Sequence, residues 1–171
     1  FTWSVYFNTG IRTGKFPRLP EYAYYADSIT PFRYEFSHRL VYNTQCILAR
    51  KFSEKLSLQV VPGVIYRNLS EAERENHVIF LGFGGAYRYG TSSAIMFEYT
   101  YYFNEQPVNN AFPISLGWEF GTAGHVFQLV LSSSAELLEQ DLYTADNLDY
   151  LKGKFTLGFN IRRTTWIQKD N

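Results

Sequence analysis

A two-residue rhythm of side chains recurs along this chain and restricts what it can fold into more than any other feature. In residues 55–67, Leu56, Leu58, Val60, Pro62, Val64 and Tyr66 fall on one side, and Ser57, Gln59, Gly63 and Arg67 on the other. The alternation returns at 93–103, where Ile95, Phe97, Tyr99, Tyr101 and Phe103 oppose Ala94, Met96, Glu98, Thr100 and Tyr102. It returns again at 154–162, where Phe155, Leu157, Phe159 and Ile161 oppose Lys154, Thr156, Gly158, Asn160 and Arg162. Successive side chains of a strand point to opposite faces, so a period of two is a strand signal. A soluble barrel turns its bulky apolar face inward and its charges outward. Here the apolar face is wide and aromatic and the other is small or polar, which is the inverted arrangement of a transmembrane barrel.

Composition narrows the function classes. The 16 basic and 16 acidic residues cancel, so no bulk charge draws the chain to nucleic acid. Aromatic residues make up 19% of the chain, an excess that girdles at two membrane interfaces would absorb. A mean hydropathy of −0.23 and the lack of a long apolar run exclude a transmembrane helix. They do not exclude a barrel, in which half of the strand residues face away from lipid. The single Cys46 lies on the apolar side of its segment and reads as an inert thiol. The numbered chain starts at Phe1 without a signal sequence, so either a signal peptide has been removed or the chain is a piece of something longer.

The pattern predicts strands at 2–9, 38–52, 55–67, 76–89, 93–104, 111–121, 125–133 and 152–163, within a single domain spanning 1–171. Short turns at Ser53-Glu54, Gly90-Thr91-Ser92 and Thr122-Ala123-Gly124 alternate with long loops at 10–37, 68–75, 105–110 and 134–151. Short periplasmic turns opposite long extracellular loops are the outer-membrane pattern, with both ends of the chain on the periplasmic side. One long loop is basic and aromatic, with Arg12, Lys15, Arg18, Tyr22, Tyr24 and Tyr25, and is the candidate contact surface. Another is acidic, with Glu136, Glu139, Asp141, Asp146 and Asp149.

Few motifs point to chemistry. Gly82-Phe83-Gly84-Gly85-Ala86 lacks the following helix and Lys-Ser/Thr pair of a phosphate loop, so its small inward residues read as packing space for longer neighbours. His38, His77 and His125 are far apart, with no metal-ligand spacing, and no nucleophile elbow or metalloprotease motif occurs. Asn68-Leu69-Ser70 matches a glycosylation sequon that carries no meaning in a bacterium. The inward polar set Arg88, Glu98, Glu119, Gln128, Asn160 and Arg162, with Lys51 nearby, is the one constellation to weigh. Glu98 and Glu119 are placed on adjacent strands about two residues apart in height, as an acid–base pair would need. A charge-paired network filling a narrow lumen is the preferred reading, because an eight-stranded interior is filled by side chains.

The segment Gln45–Asn68, QCILARKFSEKLSLQVVPGVIYRN, resembles an uncharacterised family of outer-membrane β-barrel proteins from Bacteroidota, which carries a stretch similar to LIARKFSDKLSLQ followed by a Pro and an RN pair. Gly121–Leu129 is similar to the family's TGGHVFQL stretch, and Gly158–Arg163 to its GFNISR, in the same order. Ala123 and Arg162 depart from the family's Gly and Ser, and Thr164-Thr165-Trp166 stands where the family usually ends soon after in an aromatic. The resemblance implies no activity and no catalytic residues. It also implies further strands before the region matching Phe1, making this chain the C-terminal part of a barrel of about twelve strands.

The expectation is an all-β, antiparallel up-and-down transmembrane β-barrel of about eight strands in the bacterial outer membrane. It would lack enzymatic activity, metal and cofactor, and serve as a structural or docking subunit or a narrow channel. Its partners would be outer-membrane lipid and, through the long loops, other subunits of an outer-membrane complex. A soluble lipocalin-like barrel that binds an apolar small molecule is the alternative, with the aromatic faces inward. A hydrolase has Glu98 and Glu119 as its only support.

Overall fold

The computed structural model describes residues 1–16, 18, 23–25, 28–70, 75–104, 111–134 and 148–163. Eight strands form one antiparallel sheet in sequence order: β1 (Thr2–Ile11), β2 (Leu40–Lys51), β3 (Leu56–Arg67), β4 (His77–Arg88), β5 (Ser93–Tyr102), β6 (Ile114–Gly121), β7 (His125–Ser132) and β8 (Thr156–Arg163). This is the up-and-down all-β architecture that the alternation predicts.

The short turns are closed by local hydrogen bonds. Between β2 and β3, Phe52 N–H donates to the Leu56 carbonyl at 2.8 Å, and Ser53 Oγ accepts from Leu56 N–H at 3.0 Å. Between β6 and β7, Thr122 N–H donates to the His125 carbonyl at 2.8 Å. Within β3 the pairing with β2 steps from Gly63↔Gln45 to Val60↔Leu48, passing over Pro62, whose nitrogen has no hydrogen to give the ladder.

The register fixes the facing. Val60, Phe83, Tyr99 and Ile114 lie on one side of the sheet, and Val61, Gly82, Thr100 and Ser115 on the other. The bulky apolar side is the exposed one, from Trp3 at 71% on β1 to Leu157 at 73% on β8. The chain exposes 12477 Å². A compact soluble monomer of this 19.9 kDa mass would expose about 8,700 Å². Outward aromatic residues gather at both ends of the strands. Phe52, Tyr87, Tyr89 and Trp118 stand by the short turns, where the Trp118 indole N–H donates to the Tyr89 hydroxyl. Tyr66, Tyr101 and Phe103 stand by the long loops, where Phe112 stacks on Tyr101 with ring centroids 5.0 Å apart.

The buried core lies on the inner face at the long-loop end. Val41, Ile65, Val78, Phe80 and Tyr102 come together from β2, β3, β4 and β5, with Phe112 packed against them. Phe80 crosses Gly63 of β3, its register partner, and a Cβ on that glycine would run into the ring. Farther along, the space left by Gly84 takes Gln59, whose Nε2 lies 2.9 Å from where a Cβ would stand. This is the packing role that the glycine run suggests.

Among the described residues β1 pairs with β2 alone and β8 with β7 alone, so these eight strands do not join into a ring. Among the described residues both outer edges keep a row of backbone groups without a ladder partner.

Candidate functional site

The inner polar residues gather in part. Arg88 faces Ala94, Ala94 faces Glu119, Glu119 faces Gln128 and Gln128 faces Asn160, which aligns them across β4 to β8 near the short turns. Gln128 Nε2 donates to Glu119 Oε2 at 2.7 Å, and Arg162 Nη2 stands 3.7 Å from the same oxygen. Arg88 and Glu119 border a cavity of about 190 Å³ beside the turn at Thr91–Ser92. The Arg162 side chain is 70% exposed against 24% for Glu119, so solvent screens the pair.

Glu98 does not join them. It faces Gly84 and Ser115, four residues along β5 from the Ala94 that faces Glu119. That separation is about 13 Å at the rise of an antiparallel strand, where the sequence reading placed the two carboxylates two residues apart. The confined acid–base pair is therefore not built. The physical reason lies in the connection: β5 and β6 are joined through residues 103–113, and a long loop, unlike a tight turn, does not dictate the register of the strands it joins.

The long loop after β1 forms a more developed site. Residues 23–25 and 30–32 run alongside each other, with Tyr25 N–H donating to the Thr30 carbonyl at 2.9 Å and Phe32 N–H to the Ala23 carbonyl at 2.8 Å. The Tyr25 ring packs against Phe32 at 5.0 Å, and exposed Tyr24 bridges to Pro31. Phe32 then meets Tyr34 edge-on at 5.3 Å, and Tyr34 stacks on Phe16 at 4.1 Å with the rings 5° from parallel. Arg39 closes this stack, its guanidinium 4.0 Å from the Phe16 ring centre while Nη1 donates to the carbonyls of Arg12 and Gly14, each at 2.7 Å. His38 lies beneath Phe32 at 5.3 Å, in a 3-10 turn over Phe36–Arg39 that leads into β2. Glu35 N–H donates to His38 Nδ1 at 3.0 Å. Asn68, after β3, donates through Nδ2 to the Ser37 carbonyl at 2.8 Å and ties the next loop to this one.

Of the residues proposed for a loop surface, Arg12 and Lys15 border a cavity of about 360 Å³ that reaches from Phe16 and Tyr34 to Leu69. Tyr24 and Tyr25 belong to the run 23–25, Arg18 is exposed, and Tyr22 lies outside the described residues. The sequence reading missed Arg39, Phe16, Phe32, Tyr34 and His38. The signal was present in the aromatic residues that follow Pro31 and in an Arg placed just before an apolar strand. In the acidic loop Glu136, Glu139, Asp141 and Asp146 lie outside the described residues. Asp149 is nearly buried, and its carboxylate pairs with Lys152 at 2.8 Å.

An antiparallel sheet that turns aromatic and aliphatic side chains outward, girdles them at both ends and gathers its polar row inside defines a membrane-embedded β-barrel domain. The chain belongs to the family described as a membrane bound beta barrel domain (DUF5777), whose model matches residues 1–165. No curated protein and no solved structure matches it. The lipocalin-like alternative is corrected by the facing, since a soluble barrel would hide Ile95, Phe97 and Phe159, which this sheet exposes.

Proposed function

We propose that this chain is a non-enzymatic outer-membrane protein that acts as a docking subunit through the loops at one end of its barrel, rather than as a channel. The observation that carries the reading is the cluster of Val41, Ile65, Val78, Phe80 and Tyr102, buried together with Asn43, Gln45 and Arg67 on the inner face at the long-loop end. A water path through that end would have to displace packed apolar side chains. The loop core of Phe16, Phe32, Tyr34 and Arg39 supports a contact role, because a surface held in one shape before binding loses less entropy on binding. Aromatic and arginine side chains also dominate the energetics of interfaces. The resemblance of its sequence blocks to outer-membrane proteins of Bacteroidota supports the location, with the long loops facing outward.

Deletion of residues 14–26 should leave membrane assembly and heat resistance intact, release any co-purifying subunit, and leave planar bilayers as silent as the wild type does. Steady single-channel conductance from the wild-type protein, together with unchanged partners in the deletion, would reject the reading.

A further inference from the structure

We propose that the outward side of β1–β3 at the short-turn end holds one phospholipid, with its phosphodiester on Arg50 and an acyl chain along Trp3, Leu48 and Val60. The proposal rests on the outer-membrane placement with the long loops outward, which puts the short turns in the periplasmic, phospholipid leaflet. It gives a ligand to the end of the strands that the docking loops do not use.

Arg50 ends an uncharged row. Along β2 the outward series runs Tyr42, Thr44, Cys46, Leu48 and Arg50. The Arg50 guanidinium lies over two rings, 4.9 Å from the centre of Phe1 and 5.1 Å from that of Phe52. Ring contacts of this kind engage the face of a guanidinium and leave its in-plane N–H donors open. Among the described residues no hydrogen bond or ion pair takes up those donors, and Glu54 of the adjoining turn does not pair with them. The rings also set the depth. Phe52 belongs to the aromatic girdle, where hydrocarbon meets headgroups, and a phospholipid carries its phosphate at that level. A fork of two N–H donors matches two oxygens of a phosphate.

The register supplies the surface for a chain. Trp3 faces Leu48 and Leu48 faces Val60, so an exposed apolar row crosses three strands one step deeper in the membrane than Arg50. Six residues along β2 cover about 20 Å. At a tilt of about 45° that descends about 14 Å, close to half of the roughly 30 Å hydrocarbon core. The outward residues over that length are Leu48, Cys46 and Thr44, so a chain anchored at Arg50 meets no charge before the mid-plane. Arg163 makes the contrast. It shares the outward side of β8 with Phe159 and Ile161 and faces His125 at the same end, but no ring lies under its guanidinium among the described residues.

The full chain in detergent micelles is titrated with phosphatidylglycerol, with lipid A, and with monogalactosyl diacylglycerol, which has similar chains and no phosphate. Bound lipids are counted by native mass spectrometry. One phosphatidylglycerol should be held about tenfold more tightly than the galactolipid. Arg50→Gln should bring it down to the galactolipid level. Arg50→Lys, which keeps the charge and loses the fork, should weaken it about threefold, and Phe52→Leu about two- to fourfold. Were Arg50→Gln not to fold, the other two variants carry the test. Arg163→Gln should leave retention unchanged. Equal retention of phosphatidylglycerol and galactolipid, or a loss in Arg163→Gln equal to that in Arg50→Gln, overturns the proposal and leaves only a general attraction of girdle cations to lipid. Lipid A held through Arg50 more tightly than phosphatidylglycerol overturns it as well, and with it the orientation of the strands. The docking role is read apart from this, by partner release in the 14–26 deletion at the opposite end of the strands.

Discussion

Phe80 lies across Gly63 on the inner face and leaves no room for a Cβ there. The glycine is the register partner of the ring, and the ring is 1% exposed. Gly63→Ala must push a packed aromatic aside, and overpacking of this kind costs about 1–3 kcal/mol. The urea midpoint of unfolding in liposomes should fall accordingly, and Phe80→Leu on top of Gly63→Ala should recover part of the loss because the two sites share one space. Glu119 behaves differently. Its ion pair with a 70%-exposed Arg162 is worth about 1 kcal/mol or less after screening. The hydrogen bond from Gln128 at 2.7 Å is the larger contact. Glu119→Gln, which can still accept it, should change stability by about 1 kcal/mol or less. Glu119→Ala should cost about 1–2 kcal/mol. A loss near 4 kcal/mol in Glu119→Gln would instead indicate a desolvated charge network.

At the scale of elements, the period of two located each of the eight described strands, and the misfits at the starts of β2 and β8 have local causes. The strand expected from residue 38 begins at Leu40 because Phe36–Arg39 forms a 3-10 turn that places His38 under Phe32. The strand expected from residue 152 begins at Thr156 because a 3-10 turn at Tyr150–Lys152 ends on Gly153, whose φ of 74° no strand residue adopts. The inner apolar cluster was legible in Val60-Val61, Val64-Ile65 and Val78-Ile79-Phe80-Leu81, where both faces of the strand are apolar, a sign that neither faces water. Attention to the outward half of each pair hid it. The offset of Glu98 from Glu119 was not legible, since it depends on pairing across a long loop. The turn at 150–153 also carries a pH dependence. The hydrogen bond from Lys152 holds the Asp149 carboxyl below its ordinary value and raises the Lys152 ammonium above its own. The carboxylate's contribution is present above the ordinary Asp value and lost as pH falls through the lowered one. The lysine's is present below the ordinary Lys value and lost as pH rises through the raised one. Exchange protection factors at Gly153 and Lys154, whose N–H groups donate to the Tyr150 and Asp149 carbonyls, should therefore be highest between those limits and fall on both sides. A flat profile through the acid limit would show that the pair does not hold the turn.

The whole molecule is a sheet with lipid-compatible side chains outside, a tightly buried cluster at the long-loop end of its inner face and a solvated polar row near the other end. Its two edges, β1 and β8, also have to be paired when the protein is in hydrocarbon, which offers the backbone no hydrogen bonds. Embedding explains the exposed aromatic face, the girdles and the balanced charge together, and a spin-label pair on β5 tests it most directly. Phe97 points outward, while Glu98 points inward across from Ser115. With single nitroxides at these positions in liposomes, the label at 97 should collide with oxygen and the label at 98 with a water-soluble nickel complex. The reverse order, with position 97 shielded from oxygen and position 98 open to it, would contradict membrane embedding and restore a soluble barrel.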